Sequence, residues 1–152
     1  MTTLAAPTRR AVREEFAQFF ARARAQRRRT IRQFAEQELR IVTGPRPGRF
    51  KPDTQPYARL LFDAIDTRRF KRHVITGPSQ SGKSLTAFVT PILYHLFEVG
   101  ETVICGLPDI DMAQDKWRED ILPVIEAGRY RDLLPRTGGG SKGGRVEAIK
   151  FG

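Results

Sequence analysis

Residues 72–84 read Arg72-His-Val-Ile-Thr76-Gly77-Pro-Ser-Gln-Ser-Gly82-Lys83-Ser84, and the rest of the chain is ordered around them. His73 to Thr76 is a short β-type run that stops at Gly77. From Gly82 to about Glu98 the apolar residues Leu85, Phe88, Val89, Ile92 and Leu96 recur on one side of a helix. Between the two, Gly77, Pro78, Ser79, Gln80, Ser81, Gly82, Lys83 and Ser84 satisfy G-x-x-x-x-G-K-[ST] in full. At average residue usage, a chain of this length matches that pattern by chance on the order of 0.5 % of the time. Gly77 and Gly82 permit backbone angles that a Cβ forbids, so successive N–H groups can face an anion. The helix that begins there adds unpaired amides and the positive end of its dipole. Lys83 is then expected to reach the terminal phosphates of a nucleotide, and Ser84 to place its hydroxyl on Mg²⁺. The competing reading is a glycine turn with a merely exposed lysine.

Outward from the loop, the pattern continues to alternate. Pro91 falls in the third turn of the helix and is expected to kink it. Thr102 to Leu107 is apolar on both faces, as in a buried parallel strand. Asp111-Met-Ala-Gln114 has the form of a capping box, followed by a stripe at Ile110, Ala113, Trp117, Ile121 and Val124, with Gly128 as the stop. Thr137 to Gly144 is glycine-rich and predicts a mobile loop, and Val146 to Phe151 predicts another strand. The order strand–helix–strand–helix–strand implies an α/β fold with a largely parallel sheet. Upstream, Gln55-Pro56-Tyr57 opens a short helix with Asp53 or Thr54 as cap, and Tyr57, Leu60, Leu61, Ala64 and Ile65 as its inner face. Gly44 to Phe50, with two prolines, predicts a loop. From Thr8 to about Val42 the spacing is that of one long or two consecutive basic amphipathic helices. Their stripe is Val12, Phe16, Phe19 and Ala23, resuming at Ile31, Phe34 and Leu39.

The charge is uneven. The 152 residues carry a formal net charge of +10, and residues 1–43 hold ten Arg and four Glu. A polyanion is the default partner of such a chain, through phosphate neutralisation and counterion release. The arginine run Arg27, Arg28 and Arg29 is a candidate contact for DNA or a partner protein. The longest apolar stretch, Thr86 to Phe97, is broken by Pro91 and His95 and falls short of the roughly 20 residues of a membrane span. The first thirty residues are arginine-rich with no apolar signal core, and the single Cys105 excludes an internal disulfide. A soluble, cytoplasmic protein is the expectation. Asp109, Asp111 and Asp115 could suggest a metal site, yet two of them sit where helix caps belong; His73 and His95 read as structural residues, and Cys105 and Trp117 as core.

The order of these motifs resembles the large terminase subunit of tailed phages, in its lambda-like branch, the ATP-driven motor and nuclease that packages DNA into empty capsids. Four places carry the resemblance. They are Gly48-Arg-Phe50 leading to Gln55-Pro-Tyr57; Arg72 through Ser84; Leu107-Pro108 with Ala113 and Leu122-Pro123; and Ile149-Lys-Phe-Gly152. The resemblance implies a P-loop NTPase-type three-layer fold over residues 44–152, as the N-terminal portion of the ATPase domain, preceded by a basic helical arm over residues 1–43. It implies ATP and Mg²⁺, with Lys83 as catalytic residue, the loop Gly77–Ser84 on the phosphates, and Gln55 and Tyr57 on the adenine side. It further implies double-stranded DNA, the small terminase subunit and the capsid portal as partners, in the host cytoplasm and away from membranes. Two departures stand out. Pro78, Ser79 and Gln80 occupy the region where some terminases carry a loop arginine. No apolar run ends in Asp-Glu, so the acidic motif and the nuclease residues are expected beyond Gly152, and the chain reads as a truncated piece that hydrolyses ATP poorly. A helicase or translocase fragment, or a basic nucleic-acid adaptor with a vestigial loop, are the alternatives.

Overall fold

Thr30 begins the first described helix by a reciprocal cap. Its hydroxyl accepts the Gln33 amide at 3.1 Å, while the Gln33 side chain accepts the Thr30 amide at 3.1 Å. The computed structural model describes residues 13, 15, 16, 28–42, 44, 46–135 and 148–151. The first stripe, Val12 to Ala23, therefore lies almost wholly outside the described residues.

Helix α1, Ile31–Glu38, ends where Leu39 turns extended. The chain then forms strand β1, Arg40–Ile41, paired antiparallel with β2, Gly48–Arg49, in the register Arg40 to Arg49 and Ile41 to Gly48. The expected loop thus closes a small hairpin, and Phe50 leaves it into the core. A 3-10 turn, Pro52–Thr54, leads to α2, Pro56–Asp66, with Pro56 in the first turn. Gln55 holds the capping position but makes no side-chain cap bond, so neither Asp53 nor Thr54 is the cap.

The inner face of α2 differs from the expected one. Ala58 and Phe62 are buried, with Leu61 and Ile65 packed beside them, whereas Leu60 is 74 % exposed. Positions 58, 61, 62 and 65 make an i, i+3, i+4, i+7 stripe. The stripe through Tyr57 and Leu60 lies one residue around the helix, and the tertiary partners select between the two.

Helix α3 consists of three consecutive segments: Ser84–Val89 wound as π-helix, Thr90–Leu93 as α-helix and Tyr94–Val99 as π-helix. It runs through Pro91. The wide turn before the proline sends the Thr90 amide to Leu85 O, five residues back, and the Thr90 hydroxyl joins it at 2.6 Å. A π turn of this kind makes room for a ring that would otherwise press on the preceding turn. Helix α4 repeats the device. Its segments are Ile110–Asp115, the π-wound Lys116–Ile121, and Leu122–Ala127, with Pro123 one residue past the wide turn. The cap of α4 is Asp109, whose carboxylate accepts the Met112 amide at 2.7 Å, so the expected box beginning at Asp111 is displaced by two residues. The helix stops at Gly128, and a 3-10 turn, Arg129–Leu133, follows.

One core joins these elements. Ile31, Phe34, Ala35 and Leu39 from the N-terminal region pack with Phe62 of α2, Val89, Leu93 and Tyr94 of α3, and Trp117, Ile121 and Ile125 of α4. Rings link its layers: Phe34 lies edge-on to Tyr94 at 5.7 Å, Phe97 stacks on Tyr130 at 4.2 Å, and Phe151 meets Phe97 at 5.1 Å.

The parallel sheet is where expectation and structure part. Among the described residues the sheet is the two-stranded antiparallel pair, and the fold is mostly helical. Residues 73–76, 102–107 and 149–151 make no strand ladder, with Val74 91 % and Ile104 92 % exposed. A strand is stabilised by neighbours on its edges, and neither segment meets one among the described residues. Cys105, expected in a buried strand, is exposed for the same reason.

Arg29 fastens the start of α1 to the end of α3. Its backbone amide donates to Glu98 Oε1 at 2.8 Å, and its guanidinium donates to Glu98 Oε2 at 2.6 and 3.0 Å and to Glu38 Oε1 at 2.5 Å. Tyr94 donates its hydroxyl to the Arg29 carbonyl at 3.0 Å. The Arg29 hydrogen bonds hold the Glu98 carboxyl below the usual carboxylate range, against the opposing effect of burial. A depressed carboxylate contributes stability above its unfolded pKa and loses it as pH falls through the folded one. Glu98→Gln is therefore expected to cost about 2 kcal/mol at neutral pH and to flatten the acid side of the stability profile, measured by urea denaturation between neutral pH and the acid range. In the same assay Phe62→Ala should cost about 3–5 kcal/mol, and Leu60→Ala less than about 0.5 kcal/mol.

Candidate functional site

The loop between residue 76 and α3 is shaped by two residues in the left-handed region. Gln80 has φ +57° and Gly82 has φ +80°. Alternation of this kind turns neighbouring N–H groups toward one side of the chain. At Gly82 the positive φ itself calls for glycine, and a Cβ there would also displace the carboxamide at the end of the flexible Gln55 side chain.

The first rung of α3 is Thr86 N–H to Gly82 O at 3.1 Å, and the buried Thr86 hydroxyl donates to the same carbonyl at 3.1 Å. The amides of Lys83, Ser84 and Leu85 thus lie ahead of the hydrogen-bond ladder. Lys83 folds back over the loop. Its ammonium donates to Gly77 O at 3.0 Å, to Pro78 O, and to Ser81 Oγ at 3.3 Å. Ser81 in turn donates to Pro78 O at 3.0 Å. Ser84 is exposed, and its hydroxyl makes no hydrogen bond among the described residues.

The upstream pair reaches the same loop. Tyr57 donates its hydroxyl to Ser81 O, and Gln55 lies against Gly82 with its Oε1 buried and without a partner among the described residues. Seven positions that the sequence pattern singles out, Gln55, Tyr57, Gly77, Pro78, Ser81, Gly82 and Lys83, are therefore in mutual contact. The loop also lies in an acid-free run: from Thr67 to Phe97 the chain has five Lys and Arg and no Asp or Glu.

The remaining candidates are placed as follows. Arg27 and residues 138–144 fall outside the described residues. Arg28 is exposed, and Arg29 is engaged with Glu98 and Glu38. His73 lies edge-on to Phe70 at 6.3 Å, and His95 bonds Glu101 at 2.9 Å beside Tyr94. Trp117 is buried. Asp109 is a cap, and no group of three His, Cys, Asp or Glu that could hold a metal occurs among the described residues. The pattern did not single out Arg68, Arg69, Lys71 and Arg72, all exposed just ahead of the loop; the acid-free run was their signal. No helix of the described residues is long and apolar enough to cross a membrane.

A family model described as phage terminase large subunit gpA, ATPase domain, matches residues 44–136. No curated protein and no solved structure matches the chain. The family match spans more than half of the chain and includes α2, the loop Gly77–Ser84, α3 and α4. With the motif, its lysine and its upstream pair gathered at one place, the chain belongs to the phage terminase large subunit gpA ATPase-domain family.

Proposed function

We propose that the loop Gly77–Ser84 binds the phosphates of ATP, and that the chain is an ATP-binding part of a phage DNA-packaging motor. The observation that carries this is the start of α3. Three amides precede its ladder next to a lysine whose ammonium already reaches the loop's own carbonyls. Lys83 is held there by weak neutral acceptors. A phosphate offers the same ammonium a full charge, so it exchanges carbonyl oxygens for phosphate oxygens with little movement of its stem. The amides of Lys83, Ser84 and Leu85 add donors at the positive end of the helix.

Gln55 and Tyr57 form the adenine side in this reading. The buried, unpartnered carboxamide oxygen of Gln55 is suited to an amino group on a base, and its amide nitrogen to a ring nitrogen. Tyr57 steadies the loop through Ser81. The free Ser84 hydroxyl fits a role on Mg²⁺. When bound, Mg²⁺ supplies charge neutralisation to the phosphates. The chain's own residues bind and orient the triphosphate and neutralise part of its charge.

The finer assignments follow from the family. Residues 44–152 would be the N-terminal portion of a P-loop ATPase domain, with residues 73–76 and 102–107 in the places its parallel strands take. Residues 1–43 would be a basic arm that docks DNA or the small terminase subunit, the portal being a further partner, in the host cytoplasm.

Calorimetric titration of the full chain with Mg-ATP tests the reading. Lys83→Ala should weaken binding at least tenfold, about 1.4 kcal/mol, with the urea midpoint unchanged. Equal affinity in parent and variant would refute the assignment, and no binding by the parent would favour a nucleic-acid adaptor with an inactive loop.

A further inference from the structure

Arg68-Arg69-Phe70-Lys71-Arg72-His73 joins the end of α2 to the phosphate loop, and all six residues are exposed. None of its four Lys and Arg side chains makes an ion pair with an acid among the described residues. Several other cations of the described surface are engaged, while Arg46, Arg49, Lys51, Arg118 and Arg131 also make no ion pair among the described residues but no two of them are adjacent in sequence. Arg32 pairs with Glu36 at 3.0 Å, Lys116 with Asp120 at 2.6 Å, Arg129 with Glu38 at 3.1 Å, and Arg59 with Asp53. The surrounding run, Thr67 to Phe97, carries a formal charge of +5, half of the chain's +10. Unpaired like charges repel one another and destabilise the compact state, so their concentration here is a cost that an anionic partner would remove.

The local backbone adds a second sign. Arg68 follows the last turn of α2 with φ +50°, a position where glycine is the inexpensive choice. Phe70 is 57 % exposed, with the Arg69 guanidinium 5.9 Å over its ring. Beside the segment, a cavity of about 230 Å³ is lined by Arg28, Arg68, Tyr94 and His95, with Asp66 at one wall. The Asp66 carboxylate is turned to the Ile31 amide at 2.9 Å. Arg68 still feels the Asp66 carboxylate across the cavity, so the least compensated positive charge lies on Arg69, Lys71 and Arg72 and on Arg28, on the face that leads directly into the loop.

We propose that Arg68, Arg69, Lys71 and Arg72, with Arg28 across the cavity, form a docking surface for the backbone phosphates of double-stranded DNA. This rests on the reading of DNA as the motor's partner, and it moves the principal contact from the arginine run at 27–29 to the segment ahead of the loop. Arg29, bonded to two glutamates, contributes nothing to it. A second copy of the chain is the rival occupant, because residues 101–126 hold seven acids and two bases. Three of those acids are already engaged, Glu101 with His95, Asp109 as a cap and Asp120 with Lys116. A duplex presents one charge per about 1.7 Å of axis and matches a run of four exposed cations without an ion pair better.

The test uses the full chain and a short mixed-sequence duplex, with affinity followed by fluorescence anisotropy as salt is raised. The neutral triple Arg69→Gln, Lys71→Gln, Arg72→Gln should lower the salt slope by about 2.7. Between 50 and 200 mM salt the parent should then lose about 40-fold more affinity than the variant. The charge-preserving triple Arg69→Lys, Lys71→Arg, Arg72→Lys should keep the parent's slope. A neutral triple with the parent's slope overturns the proposal. So does a slope that falls instead in Arg22→Gln, Arg24→Gln, Arg27→Gln, or a neutral triple that loses only self-association by sedimentation velocity. Titration with Mg-ATP in parallel reads the phosphate loop separately. A parent that binds DNA with the expected slope but no nucleotide would refute the loop assignment and leave the surface standing.

Discussion

Helix α3 starts two residues after Gly82, whose left-handed φ of +80° favours glycine over any residue with a side chain. That single constraint sets the geometry of the whole loop. The chain must pass through a left-handed angle at Gly82 and then enter the helix at once, so the amides of Lys83, Ser84 and Leu85 precede the ladder. Thr86 locks the arrangement from inside. It is buried, and both its amide and its hydroxyl bond the Gly82 carbonyl, which fixes the first turn against the core.

The body of the molecule holds that first turn in place. α2 packs against α1 and the start of α3, and the middle of α4 supports α3 from another side. The aromatic series Phe34, Tyr94, Phe97 and Tyr130 closes the far end, where Arg29 ties the N-terminal region to Glu98. An exposed loop with several donors needs such a rigid support to hold its groups in place. The wide turns before Pro91 and Pro123 let both long helices continue without a break, and so extend the support to the length of the core.

Helix periodicity made the stripes through Val89, Ile92, Trp117, Ile121 and Val124 legible, because spacing along one helix is a local property. The motif was legible for a related reason, since few residue types build a tight turn onto a helix, whereas a place for Gln55 and Tyr57 at the nucleotide came only from the family resemblance. The sheet was the non-local part. Strand pairing depends on neighbours distant in sequence, and Val74 and Ile104, in stretches with the composition of strands, pair with none among the described residues. The inner face of α2 offered two overlapping stripes that only tertiary contact distinguishes. Asp109 and Asp111 are both good caps, and two residues of shift decided between them. The charge of Arg29 looked free in sequence and is engaged in space, whereas the quieter group at 68–72 is the one left open.

The polarity of the chain gives these parts a common sense. Positive charge is concentrated on the run containing the loop, and negative charge on the helix that follows, so the field near Lys83 favours anions before any contact is made. The most direct test of the account is an amide ¹H–¹⁵N spectrum recorded while Mg-ATP is added. The account predicts that the largest shifts fall on Gly82, Lys83 and Ser84, with smaller ones at Gln55 and Tyr57. Shifts absent from the loop, or concentrated on α4 instead, would contradict it.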